Sequence, residues 1–96
     1  MIINPNHEEF YLGFNEKLRN SQKWPGEFMF KFILDGQSKN LVNLKKIFNK
    51  YSPIFKLKKS KKKKFQSLTV IVNMETPELV VEIYKKVSKM DGIISL

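Results

Sequence analysis

Cysteine is absent from this 96-residue chain, and with it go disulfide frameworks, zinc–thiolate sites and thiol nucleophiles. The absence fits a reducing cytosol, and a cytoplasmic location is the expectation. Histidine occurs once, as His7, so a Ser–His–Asp or Cys–His constellation has no central residue to build on. At the start of a helix, His7 reads as a solvated side chain. No run of apolar residues exceeds four, against the ~20 needed to cross a bilayer. The first ten residues, MIINPNHEEF, lack the basic start and apolar stretch of a signal peptide, so a soluble chain with no membrane role is expected. No P-loop or Gly-x-Gly-x-x-Gly cradle is present, and the nine acids stand at helix starts and polar faces rather than at metal-ligand spacing. These gaps together predict a protein that is not an enzyme, with no cofactor and no metal site.

What is present is one core's worth of apolar residues and a large excess of lysine. The chain is 42% hydrophobic with eight Phe, enough to fill a single domain and too short for two. The net charge of +9 comes from seventeen Lys and one Arg, Arg19. Specific phosphate and base contacts favour arginine's planar fork, so this ratio weakens a nucleic-acid reading. Nine Ile, eight Phe and eight Asn beside the lysines suggest the codon usage of an AT-rich genome.

Along the chain, Asn4-Pro5 followed by Glu8 and Glu9 reads as a helix start, with Phe10, Tyr11, Phe14 and Leu18 as its apolar stripe over residues 4–19. A polar connector ends in Trp24-Pro25-Gly26, where the indole reads as an anchor. Glu27 to Leu34 alternates, with Phe28, Phe30, Phe32 and Leu34 on one face and Met29, Lys31 and Ile33 on the other. After the turn Asp35-Gly36-Gln37, Ser38 is placed to cap a helix striped by Leu41, Leu44, Ile47, Phe48 and Tyr51, which Ser52-Pro53 stops. Ile54–Lys59 and Phe65–Met74 read as strands, the second burying Leu68, Val70, Val72 and Met74. Thr76-Pro77-Glu78 opens a last helix, Gly92 closes it, and Ile93 to Leu96 makes a short final strand. The order β-α-β-β-α-β after the first helix predicts an α+β, ferredoxin-like fold: a four-stranded antiparallel sheet with two helices on one face, plus the N-terminal helix. Residues 1–23 form the helix and connector, and 24–96 the ferredoxin-like domain.

Trp24-Pro25 before EFMFKFIL, Ser60, Phe65-x-Ser67, and the closing PELVVEIYKKVSKMDGIISL resemble the YbeD-like family of small bacterial proteins, a domain of unknown function, over residues 24–96. The resemblance implies a ferredoxin-like fold similar to the ACT domains that regulate amino-acid enzymes, and it implies no catalytic residue. It places a ligand, where there is one, near the first strand-to-helix loop, Asp35, Gly36, Gln37 and Ser38. In the family a glycine-containing turn usually joins the second and third strands. Lys63 stands in its place here, leaving the hairpin geometry open.

Two functions follow. The favoured one is a small non-catalytic regulatory or adaptor domain whose open sheet face or edges take a protein partner or small metabolite; the open face carries Met29, Ile33 and Ile71. A homodimer through such a face or edge is compatible with the pattern. The alternative is non-specific nucleic-acid or polyanion binding by Lys56, Lys58, Lys59, Lys61, Lys62, Lys63 and Lys64, seven lysines in nine residues. A base-stacking RNA module is disfavoured, because among Met29, Lys31, Ile33, Phe65, Ser67 and Thr69 only Phe65 is aromatic. A solvated loop guarding a strand edge accounts for the same lysines without a ligand.

Overall fold

The computed structural model describes residues 8–62 and 64–96. The Asn4-Pro5 start, His7 and Lys63 therefore lie outside the described residues. Helix α1, Glu8–Ser21, buries Tyr11 and Leu18 and half-buries Phe14 as the stripe predicts, but leaves its fourth member, Phe10, exposed. It runs two residues past the expected end at Arg19. The Leu18 carbonyl accepts bonds from the Ser21 hydroxyl at 2.7 Å and the Trp24 indole N–H at 2.9 Å. These two donors satisfy a helix end that otherwise leaves carbonyls unpaired. With its N–H spent there and its ring stacked on Phe28, Trp24 is an anchor.

Strand β1 spans Gly26–Asp35, helix α2 Asn40–Ile47, a single 3₁₀ turn Asn49–Tyr51, and strand β2 Ile54–Lys59. Strand β3 follows at Phe65–Met74, helix α3 at Pro77–Ser88 and strand β4 at Ile93–Ser95. The sheet order is β2-β3-β1-β4 with every pairing antiparallel, the ferredoxin-like arrangement. Alternation along β1 and β3 sends Phe30, Phe32, Leu34, Leu68, Val70 and Val72 into the core, where they meet Leu44 and Phe48 of the α2 segment and Val80, Tyr84 and Val87 of α3. Phe30 packs against the rings of Phe48 at 5.0 Å and Tyr84 at 5.2 Å. Burial pushes the Tyr84 hydroxyl pKa up to about 12, since the phenolate would lose its hydration there.

Helix α1 lies on α3, with Phe14 edge-on to Tyr84 at 5.2 Å and Lys85 Nζ 4.8 Å from the Tyr11 ring centroid. Arg19 of α1 pairs with Glu78 of α3 across exposed surface. Hydrogen bonds from the Asn15 side chain, then Arg19, hold the Glu78 carboxyl below the usual carboxylate range.

Helix α3 starts as its sequence predicts, with Thr76 Oγ1 accepting the Leu79 N–H at 3.3 Å and Pro77 in the first turn. Gly92 takes φ +74° at the following turn, a left-handed conformation that glycine adopts without a Cβ clash. Both ends of α2 differ from expectation: the helix stops at Ile47, with Tyr51 in the separate 3₁₀ turn rather than in a last helical turn before Ser52-Pro53. At its start Lys39, already helical in its backbone, occupies the cap position, and the Ser38 hydroxyl accepts the Asn40 N–H at 3.1 Å as a local turn. The last strand is three residues, Ile93–Ser95, although the Leu96 N–H still reaches the Lys31 carbonyl at 2.9 Å.

Candidate functional site

Asp35, Gly36, Gln37 and Ser38 connect β1 to α2, and the fold sets this loop beside the lysine turn between β2 and β3. Asp35 is the register partner of Phe65, and the Gly36 N–H donates to the Lys64 carbonyl at 2.8 Å. Two segments read separately from the sequence thus form one corner, with Asp35, Gln37, Lys62, Lys64 and Phe65 around a shallow open depression. Gln66 holds the corner together. Its side chain is buried, and Nε2 donates to the Asp35 carbonyl at 2.9 Å. Sequence reasoning passed over Gln66, although it shares the inward parity of Leu68 and Val70.

The loop's donors are already committed to the protein itself. Besides Gly36, the Gln37 N–H bonds the Asp35 carboxylate at 2.9 Å, the Ser38 N–H the Asp35 carbonyl at 3.0 Å, and the Asn40 N–H the Ser38 hydroxyl. A backbone cradle for a small anion needs such N–H groups free and convergent; these four are neither.

The lysine cluster is divided by the pleat. Lys56 and Lys58 alternate onto the open face of β2, while Lys59 falls on the helix-side parity with Phe55 and Leu57. Lys61, Lys62 and Lys64 are exposed in the turn, which closes regularly on both flanks: the Ser60 N–H donates to the Phe65 carbonyl at 2.9 Å and the Phe65 N–H to Ser60 Oγ at 3.2 Å. Strand β2 is an edge with little cover, leaving Leu57 exposed despite its helix-side position.

The sheet face opposite the helices is left open. Its cross-strand register sets Ile54, Ile71 and Met29 in one row, Lys56, Thr69 and Lys31 in the next, and Lys58, Ser67, Ile33 and Ile94 in a third, with Phe65 and Asp35 at the end. Of the nine large hydrophobic side chains left exposed among the described residues, four stand on this face: Met29 at 60%, Ile54 at 59%, Phe65 at 57% and Ile94 at 47%. A shallow, mainly apolar depression lies at the corner between Ile33, Phe65, Ser67 and Lys58. Among the described residues Lys31, Lys56 and Lys58 enter no ion pair. Nor do three or more His, Cys, Asp or Glu side chains converge anywhere among the described residues, and none of their helices is long and apolar enough to cross a membrane.

Fold and surface define a small ferredoxin-like α+β domain with an exposed, lysine-bearing sheet face. The chain belongs to the family described as "Protein of unknown function (DUF493)", whose model matches residues 19–96, and this bears out the resemblance to YbeD-like proteins. Most of α1 precedes the matched part. Among solved structures the chain is similar to protein HP0495 from H. pylori, a solution structure, at 27% identity and a TM-score of 0.60, covering 80% of this chain and 91% of that one. No curated protein matches the chain.

Proposed function

We propose that the chain is a small non-catalytic adaptor or regulatory domain, acting in the cytoplasm, that docks a protein partner on the open face of its sheet. The supporting observation is the concentration of exposed Met29, Ile54, Phe65 and Ile94 on that one face. Exposed large apolar side chains that share one face of a sheet, even in rows parted by lysines, cost solvation and point to an interaction surface more than the same residues spread over the whole molecule would. A metabolite at the ACT-like position Asp35–Ser38 is the weaker form of the proposal, because four N–H groups of that region are already bonded internally. Residues 24–96 carry the docking face, and helix α1 serves as a brace on α3.

The test pairs affinity capture with a thermal-melt screen. Wild-type protein is expected to retain a defined partner that a Met29→Ser/Phe65→Ser variant of equal melting temperature releases. Amino acids, nucleotides and acyl compounds are expected to leave the melt unmoved. A salt-resistant shift of several degrees with a single metabolite would sink the docking assignment.

Polyanion binding is a second proposal, favoured by the exposed Lys61, Lys62 and Lys64 at the turn. It requires oligonucleotide affinity that falls steeply with salt and drops again when these three become Ser.

A further inference from the structure

We infer that the docking face recognises an acidic, extended protein segment in which apolar side chains and carboxylates alternate at every second residue. The inference rests on the docking proposal and adds the partner's chemistry to it.

Three features of the face carry it. The first is charge. Lys31, Lys56 and Lys58 stand on the face without ion pairs among the described residues, and its acids, Glu27 and Asp35, lie at the two ends of β1. A partner covering the middle of this face must neutralise three ammonium groups, since charges buried unpaired are strongly unfavourable.

The second is spacing. The rows Ile54–Ile71–Met29, Lys56–Thr69–Lys31 and Lys58–Ser67–Ile33–Ile94 follow one another at two-residue steps along the strands, about 7 Å apart. An extended chain running along β3 has the same step between side chains on one side. Its successive inward residues would meet an apolar row, a lysine row, and then an apolar row edged by Lys58. The shallow, mainly apolar depression between Ile33 and Phe65 offers a seat to an apolar side chain, with Lys58 at its rim for a neighbouring carboxylate.

The third is what the face excludes. A second copy of this chain would bring one face bearing Lys31, Lys56 and Lys58 against another bearing the same three, in a protein of net charge +9, and like charges facing across an interface cost several kcal/mol. Single-stranded nucleic acid is drawn by the same lysines, but it holds to such sheets by stacking on aromatics. Phe65 is the one ring on the open sides of β1 and β3.

The experiment uses full-length protein and three labelled peptides: repeats of Leu-Ser-Glu-Ser, Leu-Ser-Gln-Ser and Leu-Ser-Lys-Ser. Fluorescence anisotropy is read at low and high salt, with a 15-mer of uridine as the nucleic-acid probe. The Glu peptide is expected to bind at least about tenfold more tightly than the Gln peptide at low salt, with the advantage shrinking at high salt. Phe65→Ser is expected to weaken it about tenfold. Lys31→Glu/Lys56→Glu is expected to lose the Glu peptide and gain the Lys peptide, a swap that misfolding cannot produce.

Equal binding of the Glu and Gln peptides overturns the acidic partner and leaves the docking face standing. No binding of any peptide, with a partner still captured on the face, overturns the extended pattern alone. Tighter binding of the uridine 15-mer than of the Glu peptide assigns the face to nucleic acid. A sedimenting dimer that Phe65→Ser dissociates assigns it to a second copy. Either of the last two overturns the inference and the docking proposal together.

Discussion

Gly26 stands where the chain leaves the Trp24-Pro25 corner, and a Cβ there would meet the Lys23 carbonyl oxygen at 2.7 Å and Gln22 Nε2 at 2.9 Å. The glutamine can swing aside; the backbone carbonyl moves only with the corner. Gly26→Ala is therefore expected to cost at least about 1 kcal/mol, or a melting point lower by about 4–8 °C, readable by calorimetry. Tyr84 makes a different prediction at the same scale. Its hydroxyl titrates near 12 in the folded chain, against about 10 when unfolded. Between those values the unfolded chain releases the proton first, so the stability contributed is intact below about pH 10 and is lost as pH rises towards 12. Two units correspond to about 2–3 kcal/mol. Urea unfolding at pH 9 and pH 11 should show a smaller alkaline loss in Tyr84→Phe than in wild type; equal losses would remove Tyr84 as the cause.

Among the elements, α1 contributes Tyr11 and Leu18 to the same buried cluster as the sheet. Each such side chain is worth about 1.5–3 kcal/mol of burial. A chain beginning at Trp24 is expected to keep the sheet but to melt well below the full-length protein and to bind a hydrophobic dye where α3 is uncovered. An unchanged melting point would make α1 an ornament. Strands β2 and β3 were legible in the sequence to the residue, because strict alternation such as Leu68, Val70, Val72 and Met74 encodes both a strand and its buried side. The N-terminus of α3 was equally legible, since Thr76-Pro77-Glu78 carries its capping chemistry locally. The start of α2 was not: Ser38 satisfies a turn donor as readily as a helix donor, and a sequence does not say which comes first. The apolar and lysine rows were hidden for a stronger reason. Met29, Ile71 and Ile54 were visible singly, but that they share one row depends on a register between strands far apart in the chain. The approach of Lys64 to Gly36 is of the same kind.

For the molecule as a whole, the excess of positive charge sets its response to salt. Lys61, Lys62 and Lys64 project from one turn beside Lys56, Lys58 and Lys59 on the edge strand; as neighbours in sequence they repel one another in the unfolded chain as well, but the folded hairpin and the rest of a protein of net charge +9 hold them closer together. The melting temperature is accordingly expected to rise as salt increases from about 10 mM, where screening reaches roughly 30 Å, to about 150 mM, where it reaches roughly 8 Å. Replacing Lys61, Lys62 and Lys64 by Ser should flatten that rise. A melting point indifferent to salt in wild type would mean that the turn spreads its charges at no cost.

The central position of β1 also has a consequence for synthesis. Its partners β3 and β4 come later in the chain, the nearer of them ending at Met74. At roughly 5–20 residues per second, the finished β1 waits about 2–8 seconds before β3 has been made. During that interval EFMFKFIL, four of its eight residues aromatic or leucine on one side, has no strand to pair with. The nascent chain is thus exposed to aggregation in mid-translation, and a ribosome that stalls between the two strands would release a fragment with an unpaired, apolar strand.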